Sequence, residues 1–184
     1  MSFRAFISID LARIQEVEDL IASLKTADPT LKVVDPGQIH ITLKFLGETA
    51  ESKVPTIVEA MNGAAQGIEP FTVSLRGAGA FPSKNRMRVV WVGLNDTLPM
   101  GTMATRLDES LSQQGFERER RPFAPHLTVA RAKVESSNPT VRQIIENNAQ
   151  NDFGTIFVDR IRLKKSVLTK CGPQYSTVEE ILLR

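Results

Sequence analysis

Short stretches in which apolar and polar residues alternate are separated by segments whose apolar residues recur every three or four positions. Leu11, Ile14, Val17, Leu20, Ile21 and Leu24 follow Asp10, a good N-cap residue, and predict an amphipathic helix over 11–25 with its stripe in the core. Val54, Ile57, Val58 and Met61 predict a second helix that stops near Asn62-Gly63 or at Gly67. Leu98, Met103, Leu107 and Leu111 predict a third, with Asp96 near its start and Gly115 at its end. Ser137-Asn138-Pro139 opens a fourth that carries Val141, Ile144 and Ile145. The runs between them predict strands at Arg4 to Ile9, His40 to Leu46, Pro70 to Leu75, Arg88 to Leu94, His126 to Arg131, Thr155 to Val158, Ile161 to Leu168 and Tyr175 to Leu183. The segment from Gly77 to Asn85 reads as a loop.

Strand, helix, His-containing strand, helix and strand begin near residues 4, 11, 40, 51 and 70, and again near 88, 98, 126, 138 and 155. No Gly/Ser-rich linker divides these halves. The expectation is a single bilobal α+β domain over residues 1–184, related by a pseudo-twofold. Two antiparallel-rich sheets would face a central cleft with helices outside, and the C-terminal strands would complete one sheet.

Composition narrows the classes of protein this can be. With 41% hydrophobic and 24% charged residues the chain is ordinary globular material, neither disordered nor low-complexity. Its longest apolar runs, such as Val89 to Val92, are strand-sized, and the opening residues lack the continuous apolar stretch of a secretory signal. The net charge of +2 gives no general nucleic-acid coat, so any such contact would be local. One cysteine, Cys171, forms neither an internal disulfide nor a zinc framework. A cytoplasmic monomer without membrane attachment is expected.

The two histidines, His40 and His126, fall at equivalent places in the repeat and open the same pattern, His40-Ile41-Thr42-Leu43 and His126-Leu127-Thr128-Val129. In a strand, residues i and i+2 share a face, so each histidine shares one with its threonine while the apolar residues anchor the other. If the pseudo-twofold sets these strands side by side, two imidazoles and two hydroxyls converge. That set suits phosphodiester chemistry: one imidazole accepts a proton, the other donates one to the leaving oxygen, and the hydroxyls bind non-bridging phosphate oxygens. No metal is required by it.

These paired motifs resemble those of the two-histidine (2H) phosphoesterase superfamily, and within it the RNA 2′,3′-cyclic phosphodiesterase family, historically named 2′-5′ RNA ligase. The resemblance is carried by His40 to Gly47, by Pro125 to Arg131, and by the segments 3–9, 88–94 and 172–175. It implies hydrolysis of a 2′,3′-cyclic phosphate on RNA ends or nucleotides to the 2′-phosphate, with no metal and no cofactor. It also implies that His40 donates the proton to the leaving 3′-oxygen, that His126 activates water, and that Thr42 and Thr128 hold the phosphate. A weak 2′-5′ joining activity would be the reverse direction of related chemistry. The alternative is a non-catalytic nucleotide- or RNA-binding module on the same fold, which would not need a complementary acid and base.

Other residues are open to two readings. Lys44 continues the His40-Thr42 face if the strand stays regular and would then meet phosphate, while a solvated strand-end lysine accounts for it equally well. Arg131 lies at odd spacing from His126 and reaches the phosphate only if the strand bends; otherwise it makes a structural ion pair. Arg118, Arg120 and Arg121 read either as a basic flap over an RNA backbone or, because Glu117 and Glu119 are interleaved, as a solvated turn, which is the expected reading. Phe45 and Trp91, and similarly Tyr175, read either as rings for a base to stack on or as core residues, with core packing expected because they sit in apolar strand runs; Cys171 is expected to be a turn residue. Neither a Gly-Lys-Ser/Thr phosphate loop nor a Gly-x-Ser-x-Gly elbow is present.

Overall fold

The structure, a computed structural model, describes residues 1–170 and 172–184; the expectation for Cys171 lies outside the described residues. The elements run β1 (Ser2–Asp10), α1 (Gln15–Ala27), β2 (Lys32–Val33), β3 (His40–Ala50), α2 (Val54–Ala65), β4 (Phe71–Ser83), β5 (Arg86–Asn95), α3 (Leu98–Gln113), β6 (His126–Ser136), α4 (Pro139–Asn147), β7 (Asp152–Val158), β8 (Arg160–Thr169) and β9 (Gly172–Leu182). They form two sheets, β3-β1-β8-β9 and β2-β6-β5-β4-β7, and the paired strands are antiparallel.

The helices bury the stripes that define them: Val17, Leu20, Ile21 and Leu24 in α1, and Met100, Met103, Leu107 and Leu111 in α3. Asn138 caps α4 by accepting from the N–H groups of Thr140 and Val141, a contact worth about 1 kcal/mol. Helix α1 begins at Gln15, four residues later than its pattern suggests. Asp10 does not cap it, because Asp10 ends β1 in ion pairs with Lys164 and Arg162, and the next N–H, that of Leu11, bonds to the Ile39 carbonyl.

The two halves are interlocked. Helix α1 follows a strand of the first sheet yet packs with α4 over the second, and α3 follows a strand of the second sheet yet packs with α2 against the first. Strand β4 crosses to lie beside β5, and β8 crosses to lie beside β1. The expected repeat partners at residues 70 and 155 are therefore not equivalent. They are hydrogen-bonded neighbours, with Val73 opposite Ile156, and β4 corresponds by position to β8. A single apolar cluster takes Ile7 and Ile41 from the first sheet and Val90 and Leu127 from the second.

The segment read as a loop is strand up to Ser83, leaving only Lys84 and Asn85 in the turn. Its small residues serve packing. A Cβ on Gly79 would collide with the Trp91 ring, and Gly77, at φ +76, occupies a bulge where β4 presses on the Ala149 carbonyl. Among the described residues no helix is long and apolar enough to cross a membrane.

Candidate active site

Strands β3 and β6 are near neighbours where the two sheets meet. Each sends its first residue, a histidine, and its third, a threonine, to the face opposite the buried pairs Ile41/Leu43 and Leu127/Val129. The two imidazoles are held alike. His40 Nδ1 lies 2.9 Å from the Gln38 carbonyl and His126 Nδ1 lies 2.8 Å from the Ala124 carbonyl, two residues upstream in both cases. A carbonyl can only accept, so each Nδ1 carries the proton and each Nε2 is left to accept or donate. Among the described residues neither threonine hydroxyl has a protein partner.

Beyond the threonines both strands carry a bulge. Ser8 faces Thr42 and Ile7 faces Lys44, so Leu43 is the extra residue; Trp91 faces Thr128 and Val90 faces Ala130, so Val129 is. Each bulge reverses the alternation of faces. Lys44, expected to continue the cleft face, is instead 1% exposed on the helix side. It donates there to Asp108 of α3 at 2.8 Å and to the Glu117 carbonyl at 2.7 Å. Phe45 turns out of the core, where it was expected, and is 62% exposed. The same reversal satisfies the condition set for Arg131: the strand bends, and its guanidinium exerts its charge on His40 and Tyr175 of the other lobe.

The environments of the two histidines differ. His40 stands between Phe6 at 4.9 Å and Tyr175 at 5.1 Å, ring centre to ring centre, with Tyr175 edge-on. Burial holds its pKa below the ordinary value; the Gln38 carbonyl and Asp10 act in the opposite sense, and Lys164 and Arg131 reinforce the depression. Burial likewise pushes the Asp10 carboxyl up. Hydrogen bonds from Lys164 and Ser8 and the charges of Lys164 and Arg162 more than offset this, so it stays below the usual carboxylate range. His126 meets one aromatic ring, Phe81, edge-on at 5.1 Å, and Phe81 leans in turn on Trp91 at 5.3 Å. The half-buried Trp91 lies on the bare surface of Gly79.

Sequence reasoning gave no place in the site to Asp10, which it read as a helix cap, or to Lys164, Phe6 and Phe81. For Phe6 and Asp10 a signal existed: alternation in the opening strand puts Phe6, Ser8 and Asp10 on one face, and pairing that strand with β3 brings them to His40. Phe81 was hidden in the supposed loop. Arg118 and Arg120 pair with Asp108 and Glu117 at the protein surface.

A family model described as LigT like Phosphoesterase matches residues 9–91 and 97–175 of the chain. The chain is 35% identical over 184 residues to the RNA 2′,3′-cyclic phosphodiesterase of Methanothermobacter thermautotrophicus, covering 97% of this chain and 98% of that protein. It is 36% identical over 174 residues to the RNA 2′,3′-cyclic phosphodiesterase of Archaeoglobus fulgidus, covering 94% and 96%. Among solved structures, TT0787 of Thermus thermophilus superposes with a TM-score of 0.80 at 27% identity over 98% of both chains. The fold of E. coli LigT complexed with 3′-AMP matches at 0.76, with 23% identity over 100% of this chain and 99% of that one.

Proposed function

The chain belongs to the LigT-like phosphoesterase family, and from that premise we propose that its cleft hydrolyses a 2′,3′-cyclic phosphate at an RNA or nucleotide end to the 2′-phosphate. The observation that carries the reading is the matched hydrogen bonding of the two histidines. Each Nδ1–H is committed to a backbone carbonyl, so two Nε2 atoms are left, each able to accept or donate a proton.

In the forward direction His126 Nε2 accepts a proton from water as the water oxygen attacks phosphorus. The P–O3′ bond breaks, and His40 Nε2 gives its proton to the departing 3′-oxygen. Thr42 and Thr128 donate to the non-bridging oxygens as their charge builds, and Arg131 faces the same anion. An acid role for His40 runs against its lowered pKa in the free protein. Entry of the phosphate resolves this. The anion favours the imidazolium directly and engages Arg131, whose charge opposes it. His40 thus takes up its proton with the substrate. The same reading has the chain acting on RNA ends as a cytoplasmic monomer, in keeping with its single cysteine.

Phosphorus NMR of the product from a nucleoside 2′,3′-cyclic phosphate, in EDTA, tests the proposal. The 2′-phosphate should accumulate with the wild type, and His40→Ala and His126→Ala should each lower kcat by roughly 10² to 10⁴. A 3′-phosphate would mean that the other bond breaks, and undiminished turnover in either variant would remove that histidine from the mechanism. Binding without turnover by the folded wild type would leave a binding module.

A further inference from the structure

The charges on the cleft face of the first sheet are unevenly compensated. At one end the basic residues of β8 are neutralised: Lys164 by Asp10, Arg162 by Asp10 and Glu180, and Arg160 by Asp159 and Glu180. A recess at that end is lined by these same paired groups, including Asp10, Asp159, Arg160 and Arg162. At the other end Arg4 projects from β1 with no ion pair among the described residues, although Glu48 lies directly opposite it in β3. Glu48 is held instead by the Ser2 hydroxyl. Across the sheet Arg4 is in register with Ser166 of β8, and Ser166 with Tyr175 of β9.

Aromatic surface lies along the same path. From Arg4 toward His40 come Phe6, with Phe45 at 6.5 Å and Tyr175 at 5.1 Å, and Phe45 presents most of its ring to solvent. A stacking surface followed by an unpaired guanidinium is what a single strand needs: π-faces for its bases and a cation for its backbone. The acid-compensated end has an exposed ring, Phe157, but the guanidiniums beside it, Arg160 and Arg162, are both committed to carboxylates. We infer that the RNA chain carrying the cyclic phosphate leaves the histidine pair toward Arg4, stacking its upstream base on Phe45 while Arg4 binds an upstream backbone phosphate. An oligonucleotide end is then preferred over a mononucleotide. This rests on the phosphodiesterase reading above.

The test compares kcat/KM on a nucleoside 2′,3′-cyclic phosphate with kcat/KM on a trinucleotide bearing the same terminus, for the wild type, Arg4→Gln and Arg4→Lys. Arg4→Gln should lower the trinucleotide-to-mononucleotide ratio about tenfold and flatten the salt dependence of the trinucleotide reaction by about 0.7 on a log–log plot. Arg4→Lys, which keeps the charge, should lose less. A trinucleotide with neutral methylphosphonate linkages should cost the wild type as much as the substitution does, and cost Arg4→Gln little more. A ratio unchanged in Arg4→Gln, or losses from the two changes that multiply, would overturn the assignment of Arg4. A wild type that turns over neither substrate would instead overturn the phosphodiesterase reading.

Discussion

The two halves of the cleft share a backbone design and fill it differently. In both, a strand opens with His-x-Thr, bulges after the threonine and reverses its faces, and in both the histidine is tied to the carbonyl two residues before it. Opposite His40 stands Asp10, whereas Gly93 stands opposite His126, where a Cβ would come within 2.5 Å of the Arg76 carbonyl. Opposite Thr42 is the small Ser8, and opposite Thr128 the broad Trp91. Past the bulges, buried Lys44 answers to Ala130 and exposed Phe45 to Arg131. The His-Thr pairs are thus the shared part of the internal duplication, and their surroundings differ: Phe6, Phe45, Tyr175 and the unpaired Arg4 in one lobe, Phe81, Trp91 and Arg131 in the other. The proposed acid and base roles need this asymmetry, since two histidines in identical surroundings would have no preference for which of them holds the proton.

Substitutions that impose one lobe's residue on the other test this division. Lys44→Ala, which copies Ala130, should have the largest effect. It removes the cation that Asp108 faces at 2.8 Å and empties a buried site, so it should cost about 3 kcal/mol. Thermal unfolding should show a fall in Tm of about 10 °C for a chain this size, and an unchanged Tm would mean that the buried pair is dispensable. Next comes Arg131→Phe, which copies Phe45. It should lower kcat/KM about tenfold through loss of a charge-assisted phosphate contact. Proton NMR titration should also show the pKa of His40 rising, because a cation that depresses it has gone. A His40 titration that does not move would separate the lobes electrostatically.

The smallest effect is in the pH dependence of stability. The pKa of His40 is lower folded than unfolded, so the unfolded chain binds more protons between the two values. Its contribution is complete above the unfolded value, about 6.5, and is lost as pH falls toward the folded one. Urea midpoints of the wild type and His40→Asn should therefore diverge between pH 7.5 and the acid side, with the wild type declining more steeply. Parallel curves would mean that burial of His40 carries no linkage.

Much of this architecture was legible in the residues. Strand and helix patterns located the elements because each buries one face, and His40, Thr42, His126 and Thr128 declared themselves by repetition. Parity past the threonines was not legible. A bulge adds a residue without altering composition: Val129-Ala130 resembles any apolar run, and in Leu43-Lys44 the second buried residue is a lysine whose partner, Asp108, is 64 positions away. The strand character of 77–83 was concealed for a related reason. Gly79 is small to make room for Trp91, a contact across strands, and local propensity reads it as a turn residue. The exchange of strands between sheets leaves no mark on the order of elements, which is why 70 and 155 looked like repeat partners.

That exchange has a consequence for how the molecule holds together. A cut in the turn at Lys84-Asn85 would leave β1 and β3 of the first sheet with β2 and β4 of the second on one piece, and the remaining strands of both sheets on the other. Neither piece owns a complete lobe, and each carries one histidine. The line of symmetry in the sequence is therefore not a seam in the solid: the halves are laced through each other, and each jaw of the cleft is built from both of them.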